Sequence, residues 1–347
     1  MKRIQIIAVI SILFCAACQK EKIIIGTNVS ETFYVDNAGA SMRVLVEGNN
    51  LSGAYLIFVG GGPGVGDYFY NTDYIKQNIE NKYAVVYWDQ RNAGGSQGNA
   101  NGVDLNLAQM TEDLKKVIQV LKYRYGKNIE VFILGHSFGG LLVSSFMTTA
   151  DYQQMVKAWI FVDGSQNYPL NDTLTHDKLL AIGQQQIAQN KNVTNWTPIV
   201  DYCKAHTGNY SFDESNQMGT FAASAETYID SVNQINYLNT FEKYIIPQDW
   251  PVTSIAFNYL YSSNAPFNYD LYKTQFSTSL YKIVKPVLLI FGKYDFICPS
   301  GLGDDILKRI STTDTRMVIS PVSGHDVMFQ DEVLFCNEVD KFIEQHR

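Results

Sequence analysis

The chain has 347 residues, a formal net charge of −7, and a hydrophobic fraction of 46%. This length supplies either one large domain with an insertion or two smaller domains, each with a sizeable core. An acidic chain without a cluster of lysine and arginine in its mature part lacks the electrostatic footprint of a nucleic-acid-binding protein, so we exclude nucleic acid as a partner.

The first 18 residues have the pattern of a secretory signal. Basic Lys2 and Arg3 precede an apolar stretch at residues 4–14 that is too short to span a bilayer. The small residues that lead into Cys18 resemble a bacterial lipobox, in which this cysteine is lipidated and becomes the first mature residue. Cleavage without a lipid is the alternative. We expect a lipid-anchored protein of the bacterial cell envelope, in the periplasm or at the outer membrane, with residues 19–30 as a tether.

Three cysteines remain in the mature chain after Cys18, namely Cys203, Cys298 and Cys336. An odd and sparse set does not describe a disulfide framework, although one bridge is compatible with an oxidising compartment. Their spacing does not fit a zinc site. We expect small buried residues and neither a metal nor a cofactor.

Apolar runs alternate with helical patterns as far as residue 164. The predicted strands lie at residues 32–35, 42–46, 54–59, 83–88, 131–134 and 158–162. An amphipathic pattern that runs from Met110 to Leu121 indicates a helix ending near Gly126, and a further helix is predicted around residues 72–79. Strands that are apolar on both faces and alternate with helices predict an α/β fold with a mostly parallel sheet and helices on both faces.

This alternation is interrupted between residues 165 and 281, where the sequence is rich in Asn, Gln, Ser, Thr and Tyr. Helical pieces are predicted there at 178–189 and 222–238, since a structureless loop of roughly a hundred residues is improbable. The alternation resumes with a strand at 286–292, a helix at 302–310, a strand at 316–320 and a C-terminal helix. We therefore predict a core formed by residues 31–164 and 282–347, interrupted by a helical insertion at 165–281.

The candidate nucleophile is Ser137. Residues 135–139 read G-H-S-F-G and stand between a predicted strand and a predicted helix. A tight turn in that place exposes the serine hydroxyl at the carboxyl edge of the sheet and aims helix N–H groups toward it. The pentapeptide alone recurs by chance, and it is the strand before it and the helix after it that indicate catalysis.

A nucleophilic serine needs a base, and the base needs a carboxylate. His325 is the histidine that follows a core strand near the C-terminus; the others either precede the serine (His136), lie in the insertion (His176, His206) or stand next to last (His346). For the acid, Asp295 follows the penultimate strand and gives the order Ser137, Asp295, His325 that accompanies this kind of turn. Asp163, which directly follows another strand, is the rival.

Two glycine-rich loops follow strands at the same edge of the sheet. Residues 60–64 read G-G-G-P-G, and such a loop brings backbone N–H groups close to a developing oxyanion. Residues 89–96 form a charged loop, in which we expect Asp89 and Arg91 to tie neighbouring loops together. A direct contact with substrate is the alternative.

Together, the motifs at residues 60–64, 89–96 and 135–140 resemble the α/β-hydrolase superfamily and, more narrowly, its proline iminopeptidase branch. The resemblance runs from about residue 30 to 345 and makes the insertion the family's cap. It implies an oxyanion hole formed by the N–H groups of Gly62 and Phe138. Gly60, Asn92 and Phe138 depart from the branch's usual His, Gly and Trp.

The cap is where that branch binds a free substrate N-terminus through carboxylates. Four acidic residues are available here, Glu214, Glu226, Asp230 and Glu242, and no motif distinguishes among them. The resulting expectation is a serine hydrolase that cleaves an amide or ester of a small molecule or short peptide, with an aminopeptidase as the implied activity. A carboxylesterase, or a non-catalytic envelope binding protein that retains the fold, are the alternatives.

Overall fold

A nine-stranded, mostly parallel sheet lies at the centre of the fold. The structure, a computed structural model, describes residues 28–64, 66–98, 105–235 and 264–347. The strands are β1 (Val29–Asn37), β2 (Ala40–Gly48), β3 (Ala54–Val59), β4 (Ala84–Trp88), β5 (Gln97–Gly98), β6 (Glu130–His136), β7 (Ala158–Val162), β8 (Val287–Gly292) and β9 (Thr315–Ser320). Every residue of β3, β4, β7 and β8 is buried, which explains their unbroken apolar sequences.

The strand order brings the predicted loops to one edge of the sheet. It runs β1, β2, β4, β3, β6, β7, β8, β9, with β5 paired to β2. The β1–β2 and β2–β4 pairs are antiparallel, and the pairs from β4 to β9 are parallel. The carboxyl ends of parallel strands share an edge, so the loops after β3, β6, β8 and β9 meet there.

Helices cover both faces of the sheet, as predicted. The described helices are α1 (Asp73–Ile75), α2 (Leu107–Tyr125), α3 (Phe138–Thr148), α4 (Tyr168–Ala188), α5 (Val193–Ala205), α6 (Phe212–Ala225), α7 (Ala265–Tyr272), α8 (Gly301–Arg309), α9 (Val327–Gln330) and α10 (Glu332–His346). The apolar side chains of α2, α3 and α8 belong to the cluster on one face. Those of α10 and of α1, which continues into a π-helical turn at Lys76–Glu80, belong to the cluster on the other.

The insertion between β7 and β8 has its own small core. Leu179 of α4, Trp196 of α5 and Ala222 of α6 belong to a third apolar cluster, joined by Phe296 from the loop after β8. A separate core allows α4, α5 and α6 to fold as a layer against the sheet domain, because each helix buries an apolar side there.

The predicted helix at 222–238 is wrong. Helix α6 ends at Ala225, a 3-10 turn spans Glu226–Tyr228, and the backbone is extended at Ile229, with φ −100° and ψ 114°. The chain leaves the helix because it binds the core: Asn233 donates its backbone N–H to the carbonyl of Val322 at 2.9 Å and its side-chain N–H to the carbonyl of Gln330 at 2.7 Å. Residues 236–238 lie outside the described ranges.

Candidate active site

Ser137 occupies a strained turn between β6 and α3. Its backbone has φ 54° and ψ −121°, a conformation that costs a non-glycine residue on the order of 1–3 kcal/mol. Flanking glycines make the turn fit, since a Cβ on Gly135 would lie 2.6 Å from the carbonyl oxygen of Gly139. A Cβ on Gly139 would lie 1.8 Å from the carbonyl oxygen of Val59. The strand, turn and helix predicted around Ser137 are therefore what this sequence forms.

The structure brings Ser137, His325 and Asp295 into one hydrogen-bonded chain. The Oγ of Ser137 lies 2.9 Å from Nε2 of His325, and Nδ1 of the same ring lies 3.0 Å from Oδ2 of Asp295. The three residues follow β6, β9 and β8, whose carboxyl ends share an edge. Because the carboxylate of Asp295 accepts from Nδ1–H, Nε2 is left to accept the proton of the Ser137 hydroxyl.

Asp295 is fully buried and held in place by backbone groups. Its Oδ1 accepts from the N–H groups of Ile297 and Cys298, both at 2.8 Å. Burial by itself would lower the pKa of His325, but the negative charge of Asp295, with help from Asp326 and Asp163, outweighs burial and raises that pKa above its usual value. The site thus stabilises an imidazolium, which is what a general base must become during catalysis.

Asp163, the rival for the acid, has a different set of contacts. Its Oδ1 accepts from the N–H of Gly292 at 2.7 Å, and its Oδ2 accepts from the N–H of Val327 at 3.1 Å. Burial and the charge of Asp295 raise the pKa of Asp163 well above its usual range. Asp295 is therefore the carboxylate that contacts the imidazole, while Asp163 links the end of β8 to the start of α9.

The glycine-rich loop after β3 lies against Ser137. A Cβ built on Gly61 would lie 3.0 Å from Cβ of Ser137, a spacing that tolerates glycine alone without adjustment. Gly62 has φ 112°, a left-handed conformation that glycine adopts readily. The two residues expected to form an oxyanion hole, Gly62 and Phe138, thus belong to two segments that both adjoin the serine.

Buried polar side chains fix the start of this loop. The N–H of Gly60 donates to both carboxylate oxygens of Asp67 at 3.1 Å, and its carbonyl accepts from Nε2 of Gln90 at 3.0 Å. Arg91 forms a fully buried ion pair with Asp113, with Nε 2.6 Å from Oδ2. The charged loop at 89–96 therefore has the supporting role preferred from its sequence.

One of the cap carboxylates, that of Glu226, contacts the loop that carries His325. Glu226 accepts a hydrogen bond from the backbone N–H of His325 through Oε2 at 2.8 Å, and another from Nε2 of Gln330 through Oε1. Of the other three, Glu214 closes the capping box of α6, Asp230 pairs with Lys191 at the surface, and Glu242 lies outside the described residues. Burial raises the pKa of Glu226 above its usual value. The spacing of residues in the sequence could not distinguish Glu226 from the other acidic residues, because Glu226 lies in a 3-10 turn that has no apolar periodicity.

The ring of His136, which we expected to point away from Ser137, forms hydrogen bonds with Tyr70 and with His325. Its Nδ1 lies 2.9 Å from the hydroxyl of Tyr70, and its Nε2 lies 3.0 Å from the carbonyl oxygen of His325. Sequence reasoning missed Tyr70 altogether. The one available signal was Gly60, which leaves a space in the loop that another side chain has to fill.

The remaining predicted features lie away from the site or outside the described residues. His176, His206 and His346 each bond to a backbone carbonyl elsewhere, and Cys203, Cys298 and Cys336 are free and buried. Within the described ranges, no group of three or more His, Cys, Asp or Glu residues could hold a metal, and no helix is long and apolar enough to cross a membrane. Cys18, with the signal and most of the tether, is not among the described residues.

Sequence comparison identifies the family. The family model Hydrolase_4, described as "Serine aminopeptidase, S33", matches residues 49–243, more than half of the chain. The chain is 20% identical over 306 residues to the "Probable aminopeptidase YbaC" of Bacillus subtilis, covering 87% of this chain and 93% of that protein. It is 24% identical over 271 residues to a proline iminopeptidase of Saccharolobus solfataricus, covering 75% and 76%.

Solved structures agree on the fold. The proline iminopeptidase of Mycobacterium smegmatis has a TM-score of 0.60 at 16% identity, with 91% of this chain and 98% of that chain covered. An esterase from Exiguobacterium antarcticum has a TM-score of 0.58 at 16% identity, with 90% and 100% covered. The protein has the predicted α/β-hydrolase fold, and the chain belongs to the serine aminopeptidase family of hydrolases.

Proposed function

We propose that this hydrolase cleaves an amide or ester bond through an acyl-enzyme on Ser137. The hydrogen-bonded chain from Ser137 through His325 to Asp295 is the observation that carries the proposal. His325 takes the hydroxyl proton at Nε2 as Oγ attacks the substrate carbonyl, and Asp295 stabilises the imidazolium. The N–H groups of Gly62 and Phe138 receive the developing oxyanion.

The end of acylation and the whole of deacylation use the same groups. His325 gives its proton to the leaving amine or alcohol, which departs as the acyl-enzyme forms. Water then loses a proton to Nε2 and attacks the acyl carbon. As the second tetrahedral intermediate collapses, His325 returns that proton to Oγ of Ser137 and the acid product leaves. The reaction as proposed uses no cofactor.

Within this chemistry we assign an aminopeptidase of the proline iminopeptidase type, acting on short peptides or small amides with a free amino group. The names of the two relatives support this assignment. So does the position of Glu226, whose carboxylate contacts, from the cap side, the loop that carries His325. The ammonium group of such a substrate is carried by the carbon next to the scissile carbonyl, so its anionic partner has to lie near the site of attack.

A carboxylesterase is the second candidate, and one contact pattern favours it. Both oxygens of Glu226 already accept hydrogen bonds from the protein, and burial raises its pKa. Its carboxylate is therefore less able to bind a substrate ammonium group. A purely binding role has less support, because a binding protein has no need of three bonded groups at one sheet edge.

A fluorophosphonate probe tests the nucleophile. We expect the probe to label the full-length chain, and Ser137→Ala to abolish the labelling. Ser144→Ala is the matched control, because it removes a buried hydroxyl from the helix that follows Ser137, where Ser144 donates to the carbonyl of Gly140 at 2.7 Å. Full labelling of a folded Ser137→Ala variant would refute the assignment.

A substrate panel separates the two activities. Prolyl and alanyl naphthylamides would be compared with the same amides acetylated on nitrogen and with short p-nitrophenyl esters. An aminopeptidase loses its activity when the amine is acetylated. Equal rates on acetylated and free amides, or turnover of the esters alone, would replace the aminopeptidase with the second candidate.

We also propose that the protein is a lipid-anchored envelope protein modified at Cys18. The supporting observation is the sequence around that cysteine, a basic and then apolar leader with small residues before it. Labelled palmitate should enter the full-length chain expressed in a bacterium, and Cys18→Ser should remove the label while Cys15→Ser retains it. Label that persists in Cys18→Ser would exclude the anchor.

A further inference from the structure

Three hydrogen bonds link the glycine-rich loop at residues 60–64, called the oxyanion loop below, to the backbone of His325 without passing through Ser137. The N–H of Gly61 lies 3.0 Å from the hydroxyl oxygen of Tyr70, and that oxygen lies 2.9 Å from Nδ1 of His136. Nε2 of His136 lies 3.0 Å from the carbonyl oxygen of His325. The proposed reaction uses neither Tyr70 nor His136 as an acid, a base or a nucleophile.

The direction of each hydrogen bond follows from its two ends. A backbone N–H can only donate, so the Tyr70 oxygen accepts from Gly61 and directs its own hydrogen to Nδ1 of His136. A backbone carbonyl can only accept, so Nε2 of His136 carries the hydrogen and donates to His325. The chain therefore has a single consistent polarity, with one tautomer of His136.

The two side chains are buried and held in that state. Tyr70 is 2% exposed and His136 is 4% exposed. Burial and then the charge of Asp67 raise the pKa of Tyr70 well above its usual value, so the hydroxyl keeps its hydrogen. Burial and then the neighbouring His325 lower the pKa of His136 to about 4, so its ring stays neutral. The ring of Tyr70 stacks on Phe58 with centroids 5.5 Å apart, which fixes the hydroxyl.

The absence of a side chain at Gly60 makes room for this arrangement. A Cβ at Gly60 would lie 2.9 Å from Cε2 of Tyr70 and 2.1 Å from Oδ1 of Asp67. The space beside the loop is therefore filled by Tyr70 and Asp67, which bond the N–H groups of Gly61 and Gly60 respectively. A larger residue at position 60 is incompatible with this chain of hydrogen bonds.

We propose that Tyr70 and His136 are positioning residues. Through this chain of hydrogen bonds, called the relay below, they hold the oxyanion loop and the His325 backbone in a fixed relative position on the two sides of Ser137. One end of the relay is Gly61, whose Cβ position lies 3.0 Å from Cβ of Ser137. The other end is His325, whose Nε2 lies 2.9 Å from Oγ of Ser137. This inference rests on the proposed acyl-enzyme reaction, because register between these two groups matters only if both act on one substrate carbonyl.

The relay is tested with Tyr70→Phe, His136→Leu and His136→Gln in the full-length chain. Tyr70→Phe leaves two buried polar groups without their partner, and His136→Leu removes both links at once. His136→Gln keeps one acceptor and one donor, the amide oxygen and nitrogen, attached to the same carbon. Tyr87→Phe is the matched control: Tyr87 also stacks on Phe58, at 5.6 Å, and its buried hydroxyl donates to Glu80 at 2.7 Å.

The readouts are the rate of fluorophosphonate labelling and the separate kcat and KM values on whichever substrate of the panel is turned over. We expect Tyr70→Phe and His136→Leu to slow labelling and lower kcat about 10- to 100-fold with little change in KM, as for residues that orient a catalytic group. His136→Gln should recover most of the rate. Tyr87→Phe should label at the wild-type rate even where it loses stability, which a purely structural role for Tyr70 does not predict.

The double variant Tyr70→Phe, His136→Leu decides whether the two residues act as a unit. In a relay, the double variant is no slower than the slower single variant, because either substitution already breaks the chain. Wild-type labelling rates in folded Tyr70→Phe and His136→Leu would overturn the relay and leave the proposed function standing. No labelling of the wild-type chain would instead remove the proposed function. If Tyr70→Phe does not fold, the contrast between His136→Gln and His136→Leu makes the same decision, and equal rates for those two would count against the relay.

Discussion

Glu226 in the cap accepts a hydrogen bond of 2.8 Å from the backbone N–H of His325 in the core. The carbonyl of the same histidine accepts from His136 at 3.0 Å. The backbone of the proposed base is therefore held by an acceptor from the cap at its N–H and by a donor from the core at its carbonyl. Its ring is free to exchange a proton with Ser137 while its backbone stays fixed.

Two substitutions of Glu226 separate its charge from its hydrogen bond. Glu226→Gln removes the charge but keeps an oxygen for the N–H of His325, so we expect KM for prolyl naphthylamide to rise about 10- to 100-fold with esters unaffected. Glu226→Ala should also lower kcat on every substrate, because the N–H of His325 loses its acceptor. Steady-state kinetics on both substrate classes would check this, and an unchanged KM for the amide in Glu226→Gln would exclude Glu226 as the ammonium partner.

Asp295→Asn should change both the rate and its pH dependence. The carboxylate raises the pKa of His325 against the effect of burial, so kcat/KM rises with pH as His325 loses its proton, at a pH above the usual range for histidine. Without the charge, that rise should move to lower pH, and kcat should fall about 10³- to 10⁴-fold because the imidazole loses its orientation. A pH profile of kcat/KM from about pH 5 to 11 measures both effects. A rise that stays at the same pH in the variant would argue against Asp295.

Asp163→Asn provides the contrast. Both oxygens of Asp163 accept from backbone N–H groups, and an asparagine must turn its NH₂ group toward one of them. We expect a loss of about 1–3 kcal/mol in the free energy of unfolding, with kcat within about tenfold of the wild type. Urea denaturation and steady-state kinetics would test the two parts. A loss of kcat as large as that of Asp295→Asn would make Asp163 the acid instead.

Arg91→Leu should lower the free energy of unfolding more than the loss of a surface ion pair does. Arg91 and Asp113 are fully buried, and removal of the guanidinium leaves an unpaired carboxylate in the interior, at an expected cost of about 3–5 kcal/mol. Lys82→Ala is the matched control, since its pair with Asp340 is half exposed and should be worth less than about 1 kcal/mol. Comparable losses in the two variants, measured by urea denaturation, would contradict this ranking.

The elements that sequence predicts best here are the buried strands. Both β3 and β7 have the predicted bounds, because a strand buried on both faces is apolar throughout and its apolar run ends at a glycine after β3 and at an aspartate after β7. The turn at Ser137 could be predicted equally well, because its glycines stand where the backbones of β3 and α3 come too close for a side chain.

What the sequence did not disclose depends on contacts between distant segments. Tyr70 lies in a 3-10 turn with no apolar period, and its bond to His136 spans 66 residues. The end of α6 at Ala225 could not be predicted for the same reason. The residues that follow have a helix-like sequence, but the chain turns away from the helix there and Asn233 hydrogen-bonds to the loop at Val322. Local propensity yields to tertiary contacts at such positions.

Asn233 is a second link from the cap to the loop that carries His325, through the carbonyl of Val322, and to helix α9 after that loop, through the carbonyl of Gln330. Under the proposed function, the cap meets the substrate's variable groups and is thereby linked to the loop whose histidine moves the proton. A substrate that fits the cap poorly would disturb the base as well as the binding surface. Selectivity in this enzyme should consequently be expressed in turnover and not in affinity alone, so that poor substrates bind and react slowly.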